Sequence, residues 1–153
     1  MKKRIFAALC ALLLILSLSA CAAKKTTCTL TIACETALTS AGLDAETVAA
    51  LPSDGYLLPA TEVEFTDGES VLEVLRRTAQ EHALMLDVVD GEYPYVNAIG
   101  ELAGGSAGPM SGWLFSVNGE YPSVGAADIK VQAGDAIVFS YTCDGGADLG
   151  IVW

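Results

Sequence analysis

Thr29, Thr31 and Ala33 alternate with Leu30, Ile32 and Cys34, a period of two that predicts a strand with its apolar side on the even positions. Thr61 to Phe65 repeats the pattern, Val63 and Phe65 standing against Glu62 and Glu64. Between these strands the periodicity weakens. Asp44 to Leu51 predicts one or two helical turns, and Pro52, Asp54-Gly55 and Pro59 mark turns. Ser70-Val71-Leu72-Glu73 has capping-box spacing, in which the Ser and Glu side chains satisfy the first free backbone donors of a helix. The helix is predicted to run to about His82, with Val71, Leu75 and Ala79, flanked by Leu72 and Val74, as its apolar side. Leu84 to Val89 predicts a strand, and Tyr93 to Leu102 a second, irregular one. Ala103 to Gly108 is a loop rich in small residues. Trp113 to Val117 then runs into Asn118-Gly119, the dipeptide of a type I′ hairpin turn. Ile129 to Val131 is a short apolar stretch, and Gly134-Asp135 turns into Ile137 to Tyr141, the most strand-like run in the chain.

Two strands, one helix and several further strands define an α+β domain. A single main helix packed on one face of a mixed sheet, with the first and last strands parallel at its centre, is a β-grasp-like architecture. No internal repeat or long linker divides the chain.

Composition separates two unlike parts. The 153 residues carry a formal net charge of −11, from 8 basic and 19 acidic residues. Lys2, Lys3 and Arg4 precede every acidic residue, so removing residues 1–20 leaves 5 basic against 19 acidic residues and a charge of −14. Such a domain lacks the basic surface that nucleic acid requires. It equally lacks a polybasic patch for anionic lipid.

Lys2-Lys3-Arg4 is a basic n-region, and Ile5 to Leu16 is an unbroken run of 12 apolar residues, a length suited to a signal peptide and short for a spanning helix. Leu18-Ser19-Ala20-Cys21 follows and resembles the lipobox of bacterial lipoproteins. The resemblance implies cleavage before Cys21 and lipidation of its thiol. Each buried methylene then contributes about 0.8 kcal/mol to membrane attachment. The alternative is an uncleaved apolar anchor. Both readings place the domain outside the cytoplasmic membrane, and residues 21–27 become a tether.

Cys10 leaves with the signal and Cys21 is taken by lipid, so Cys28, Cys34 and Cys143 compete for one bridge in an oxidising compartment. Cys28 and Cys34 share a strand and would stand about 20 Å apart, beyond disulfide reach. If the first and last strands are parallel neighbours, Cys34 faces Cys143 and a Cys34–Cys143 bridge is expected. Cys28–Cys143 and no bridge are the alternatives.

Four stretches, Cys28 to Cys34, Gly68 to Leu75, Ser111 to Glu120 and Gly134 to Asp144, together resemble the bacterial DUF4430 domain, which is similar to the C-terminal β domain of transcobalamin and intrinsic factor. The resemblance spans residues 28–150 and leaves 151–153 as a tail. It implies a β-grasp-like domain on the surface of Gram-positive bacteria. The implied function is a non-enzymatic, ligand-binding module, with a cobalamin-like corrinoid as the ligand and no resident cofactor. Transcobalamin encloses its ligand between this domain and a helical one, so a separate partner protein supplying a helical half is a further expectation. The alternative function is a surface interaction or adhesion protein that binds a polymer, peptide or protein by its sheet or edge strand.

Trp113, after a Gly-rich loop, is a candidate to stack on a planar ligand or a sugar, with Phe115 and Tyr141 on neighbouring strands and Tyr93, Tyr95 and Tyr121 as candidates to line the same cleft; ordinary strand packing and turn contacts are the alternative for these aromatics. The resembling β domains face their corrinoid near the hairpin motif, which adds Asn118. Competing chemistry is poorly supplied. His82 is the single histidine and ends the helix, so no metal site is expected. Asp144 and Asp148 flank Gly145-Gly146 but are far short of the six to eight oxygens of a Ca²⁺ site. Ser106 and Ser111 lack the nucleophile-elbow context of a serine hydrolase. Gly104 to Gly108 lacks the Lys-Ser/Thr of a phosphate loop.

Overall fold

The computed structural model describes residues 26–152. The proposed signal segment, Cys21 and Trp153 lie outside the described residues. In chain order the strands are β1 (Thr26–Ala33), β2 (Tyr56–Phe65), β3 (Leu86–Val89), β4 (Tyr95–Ile99), β5 (Leu102–Ala103), β6 (Gly112–Val117) and β7 (Ala136–Thr142). The helices are α1 (Ala45–Ala50) and α2 (Val71–Glu81). A four-stranded mixed sheet has the order β2-β1-β7-β6, with β1 and β7 parallel at its centre from Thr29 opposite Ala136 to Ala33 opposite Ser140. Both flanking pairs are antiparallel. One face of this sheet carries α2. Val71, Leu72, Val74 and Leu75 of the helix share one buried cluster with Leu30 and Ile32 of β1 and with Ile137 and Phe139 of β7.

The helix forms where the capping pattern places it. Ser70 Oγ accepts from the Glu73 N–H at 3.3 Å, and the Glu73 carboxylate accepts from the Ser70 N–H at 2.7 Å. The Ser70 N–H, and the Ser70 hydroxyl at 2.8 Å, both donate to the Glu73 carboxylate and hold it below its ordinary value. A depressed carboxyl stabilises the fold above the unfolded-state pKa, and that contribution is lost as pH falls through the folded value. Ser70→Ala is expected to cost about 1 kcal/mol in urea unfolding at pH 7. The gap between wild type and variant should narrow as the pH is lowered below the ordinary Glu range, and a gap independent of pH would contradict the box.

Four details depart from the sequence pattern. First, β3, β4 and β5 form their own antiparallel sheet and do not extend the mixed one. Second, β2 begins at Tyr56 and runs through Pro59, where the sequence suggested a turn. Leu30 pairs with Thr61 and Ile32 with Leu58, so Pro59 and Ala60 oppose the single residue Thr31. This bulge, on an edge strand, is where a residue without an N–H is tolerated. Third, Ile129 to Val131 makes only an isolated bridge between Lys130 and Ser70. Fourth, β1 begins at Thr26, two residues ahead of the expected domain start, with Thr26 and Thr27 paired to Phe65 and Glu64.

The expected Cys34–Cys143 bridge is not formed; Cys28, Cys34 and Cys143 are all free thiols. The parallel pairing that suggested the bridge is present, but its register is off by two residues. Ala33 opposite Ser140 sets Cys34 level with Tyr141, leaving Cys143 two positions further on. An offset of about 7 Å along the strands, added to the spacing between them, exceeds ordinary disulfide geometry. Beyond Thr142 the chain is also drawn away, because the Cys143 N–H donates to Asp148 at 2.7 Å. Burial, followed by the nearby carboxylates of Asp54 and Glu35, pushes the Cys34 thiol up to about 11. Such a thiol is inert at neutral pH.

Candidate functional site

A cleft of about 330 Å³ opens beside the edge strand β6. Trp113 and Phe115 form its floor together with Phe139 of β7, while Pro94, Tyr95 and Val96 at the start of β4 make one wall. The other wall is the chain from Tyr121 to Ala126, which follows the β6 hairpin. No Asp, Glu, Lys, Arg, His or Cys lines the cleft. Tyr95 and Val124 stand exposed at its mouth, and Tyr93, the residue before Pro94, is 80% exposed.

The alternation along β6 explains the floor. Trp113, Phe115 and Val117 fall on one side of the strand and pair with Tyr141, Phe139 and Ile137 of β7. Phe115 stacks on Phe139 with ring centroids 5.5 Å apart and planes 24° from parallel. An edge strand has no neighbour beyond it, so Trp113 and Phe115 are half-buried, whereas Phe139, on a central strand, is only 1% exposed.

Of the residues singled out from the sequence, Trp113, Phe115, Tyr95 and Tyr121 converge on this cleft. Tyr141, Asn118 and Tyr93 do not. Tyr141 is 1% exposed, so no ligand can reach it. Its hydroxyl donates to the Ala103 carbonyl at 2.8 Å and lies 3.2 Å from Ser111 Oγ. The Trp113 ring meets Tyr141 edge-on at 5.3 Å, and its indole N–H donates to the Leu102 carbonyl at 2.9 Å. The two aromatic donors thus clip β5 to the main sheet.

Asn118 sits in the predicted turn with φ +55°, followed by Gly119 at φ +83°, the left-handed pair that a type I′ turn requires. Both ends of its side-chain amide are occupied. Nδ2 donates to Asp135 at 2.8 Å, and Oδ1 accepts from the Ala136 N–H at 2.9 Å. It fastens the hairpin to the start of β7 and lies outside the cleft.

The remaining candidates also have structural occupations. Ser111 Oγ donates to the Gly108 carbonyl at 2.8 Å and accepts from the Ala107 N–H at 3.0 Å, which shapes the Gly-rich loop. The Asp148 carboxylate accepts from Thr142 Oγ1 as well as from the Cys143 N–H. His82 is the exposed C-cap of α2. Among the described residues no three His, Cys, Asp or Glu side chains are grouped to hold a metal ion. The sequence reading missed Pro94 and the stretch Pro122 to Val124. Their signal was the repeated Tyr-Pro dipeptide, Tyr93-Pro94 and Tyr121-Pro122, whose prolines fall one in each wall.

Fold and cleft together define an α+β, β-grasp-like domain with an aromatic groove at the edge of its main sheet. Residues 68–143 match the family model described as a domain of unknown function, DUF4430, so the expected resemblance holds over that stretch. Two solved structures share the fold. One is described as "a putative metal binding protein" from Ruminococcus gnavus ATCC 29149, with a TM-score of 0.50 and 19% identity over 77% of this chain and 97% of that one. The other is haptocorrin in complex with Cbi, with a TM-score of 0.54 and 15% identity over 82% of this chain. This chain corresponds to 27% of the haptocorrin chain. At these identities the likeness is one of fold. No curated protein matches the sequence significantly.

Proposed function

We propose that this domain is a non-enzymatic ligand-binding module and that the cleft beside β6 is its site. The observation that carries the reading is the chemistry of the lining. An aromatic floor, walls carrying Pro94-Tyr95 and Tyr121-Pro122, and no carboxylate, imidazole, amine, guanidinium or thiol make a surface for stacking rather than for proton or acyl transfer. A corrinoid is the ligand that the haptocorrin-like fold favours. A cleft of about 330 Å³ is at the small end for ligand sites and would cover one face of such a macrocycle. A partner supplying the opposite half fits that geometry. The alternative, strand addition to the sheet, has less support at edge strand β2, which carries Pro59, Glu62 and Glu64, features that blunt an edge. The module is proposed to be lipid-anchored through Cys21 on the outer face of a bacterial cytoplasmic membrane, a reading that rests on the lipobox-like stretch and the apolar run before it.

The test is calorimetric titration of the full-length protein in nanodiscs with cobalamin and with cobinamide. Binding is expected, with Tyr95→Ala weakening it by about tenfold, in line with about 1–1.5 kcal/mol for one aromatic contact. No heat and no thermal shift with either corrinoid would end the corrinoid reading.

A further inference from the structure

The described residues contain 19 acidic side chains and only three basic ones, Arg76, Arg77 and Lys130. None of the three lines the cleft. Arg76 is taken by Asp90 at 2.5 Å and Arg77 by Glu69 at 3.2 Å. Lys130 lies by the start of α2, where its charge is felt by Glu73. One acidic group, by contrast, stands beside the walls, and two more are close to them along the chain. Asp128 Oδ2 is 3.5 Å from where a Cβ on Gly125 would stand, and the Pro94 carbonyl is 3.7 Å from the same point. An exposed carboxylate therefore sits where the two walls approach, and it makes no ion pair with a described residue. Glu92 and Glu120 lie within two residues of Pro94 and Tyr121 along the chain.

We propose that the cleft selects small planar organic cations over anions of the same shape. Three observations combine. The aromatic faces of Trp113, Tyr95 and Tyr121 attract positive charge through their quadrupoles. The Asp128 carboxylate adds an attraction beside Gly125 of the cleft wall. The surplus of acidic groups repels an anion before it arrives, over about 10 Å at 0.1 M salt. The inference rests on the cleft being the ligand site, and it names the charge class that the site accepts.

The experiment uses three tricyclic probes of one shape at pH 7.5: 9-aminoacridine as cation, acridine as neutral ring and acridine-9-carboxylate as anion. Each is titrated into the full-length protein held in phosphatidylcholine nanodiscs, with empty discs subtracted. The cation is expected to bind about tenfold tighter than the anion in low salt. That ratio should shrink in 0.5 M salt, and Tyr95→Ala should weaken all three probes. Asp128→Asn should reduce the cation-to-anion ratio at least threefold, whereas Asp54→Asn, the same charge change away from the cleft, should not. Equal affinity for the three probes, or equal effects of Asp128→Asn and Asp54→Asn, would overturn the selectivity while leaving the cleft as a site. Binding of none of the probes would remove the cleft itself, and the inference with it.

Discussion

Tyr141→Ala is expected to destabilise the domain by about 3–5 kcal/mol, the range for removing a fully buried aromatic ring. That is a large share of the roughly 5–15 kcal/mol that holds an ordinary domain together. The ring is 1% exposed and sits among Cys34, Ala37, Leu51 and Leu102, so its removal opens a cavity between the main sheet and β5. Tyr141→Phe isolates the hydroxyl. It keeps the ring contact with Trp113 and removes the hydroxyl's bond to the Ala103 carbonyl, which retains the Ser106 N–H as a donor, at an expected cost of about 1 kcal/mol. Denaturant unfolding of wild type and both variants gives the two numbers. Hydrogen exchange in Tyr141→Phe should show the loss concentrated at β5 and the Gly-rich loop after it. Uniform loss across the sheet would mean that the hydroxyl does not clip β5. If Tyr141 were a ligand contact, both variants would be nearly neutral in the unliganded protein.

The two halves of this architecture differed in how far they could be read from the chain. The two central strands and α2 were legible because their signals are local and strong: clean alternation in β1, a β-favouring run in β7, and a capping box on α2. The separation of β3, β4 and β5 into a second sheet was not legible, since short strands reveal their partners only through tertiary contacts. The disulfide expectation failed at the finest level, register. Neighbouring strands were identified correctly, but alternation along a strand fixes which face a residue occupies and not how far it is offset from a partner. In the site, Trp113, Phe115, Tyr95 and Tyr121 were within reach because aromatic residues near a Gly-rich loop and a hairpin tend to be surface-accessible. Tyr141 was misplaced although the correct cue was present. It shares the parity of Ile137 and Phe139 on a strand expected at the centre of the sheet, and a central strand is buried on the face that carries the helix. Asn118 was misplaced for another reason: one side chain can meet the φ demand of the turn and also bond across to the next strand, which fixes it to the hairpin and away from the cleft.

Phe139→Ala and Phe115→Ala should separate the floor of the cleft into its structural and binding parts. The two rings stack on each other, yet they stand on strands of opposite standing: Phe139 on central β7, Phe115 on edge β6. Removing the buried Phe139 ring is expected to cost about 3–5 kcal/mol, because β1, α2 and β6 all close around it. Removing the half-buried Phe115 ring should cost about 1–2 kcal/mol, roughly half the transfer free energy of a fully buried aromatic plus part of the pair term. Binding should follow the reverse order. Phe115 presents a ring to the cleft beside Trp113, so Phe115→Ala is expected to weaken any stacked ligand by about tenfold while the domain stays folded. Phe139→Leu, which retains most of the buried volume, should bind within about threefold of wild type despite a measurable loss of stability. Unfolding free energies measured beside affinities for the same variants decide the matter. Equal stability losses for Phe115→Ala and Phe139→Ala would mean that β6 is covered like a central strand. A cleft lying against an open sheet edge would then be wrong.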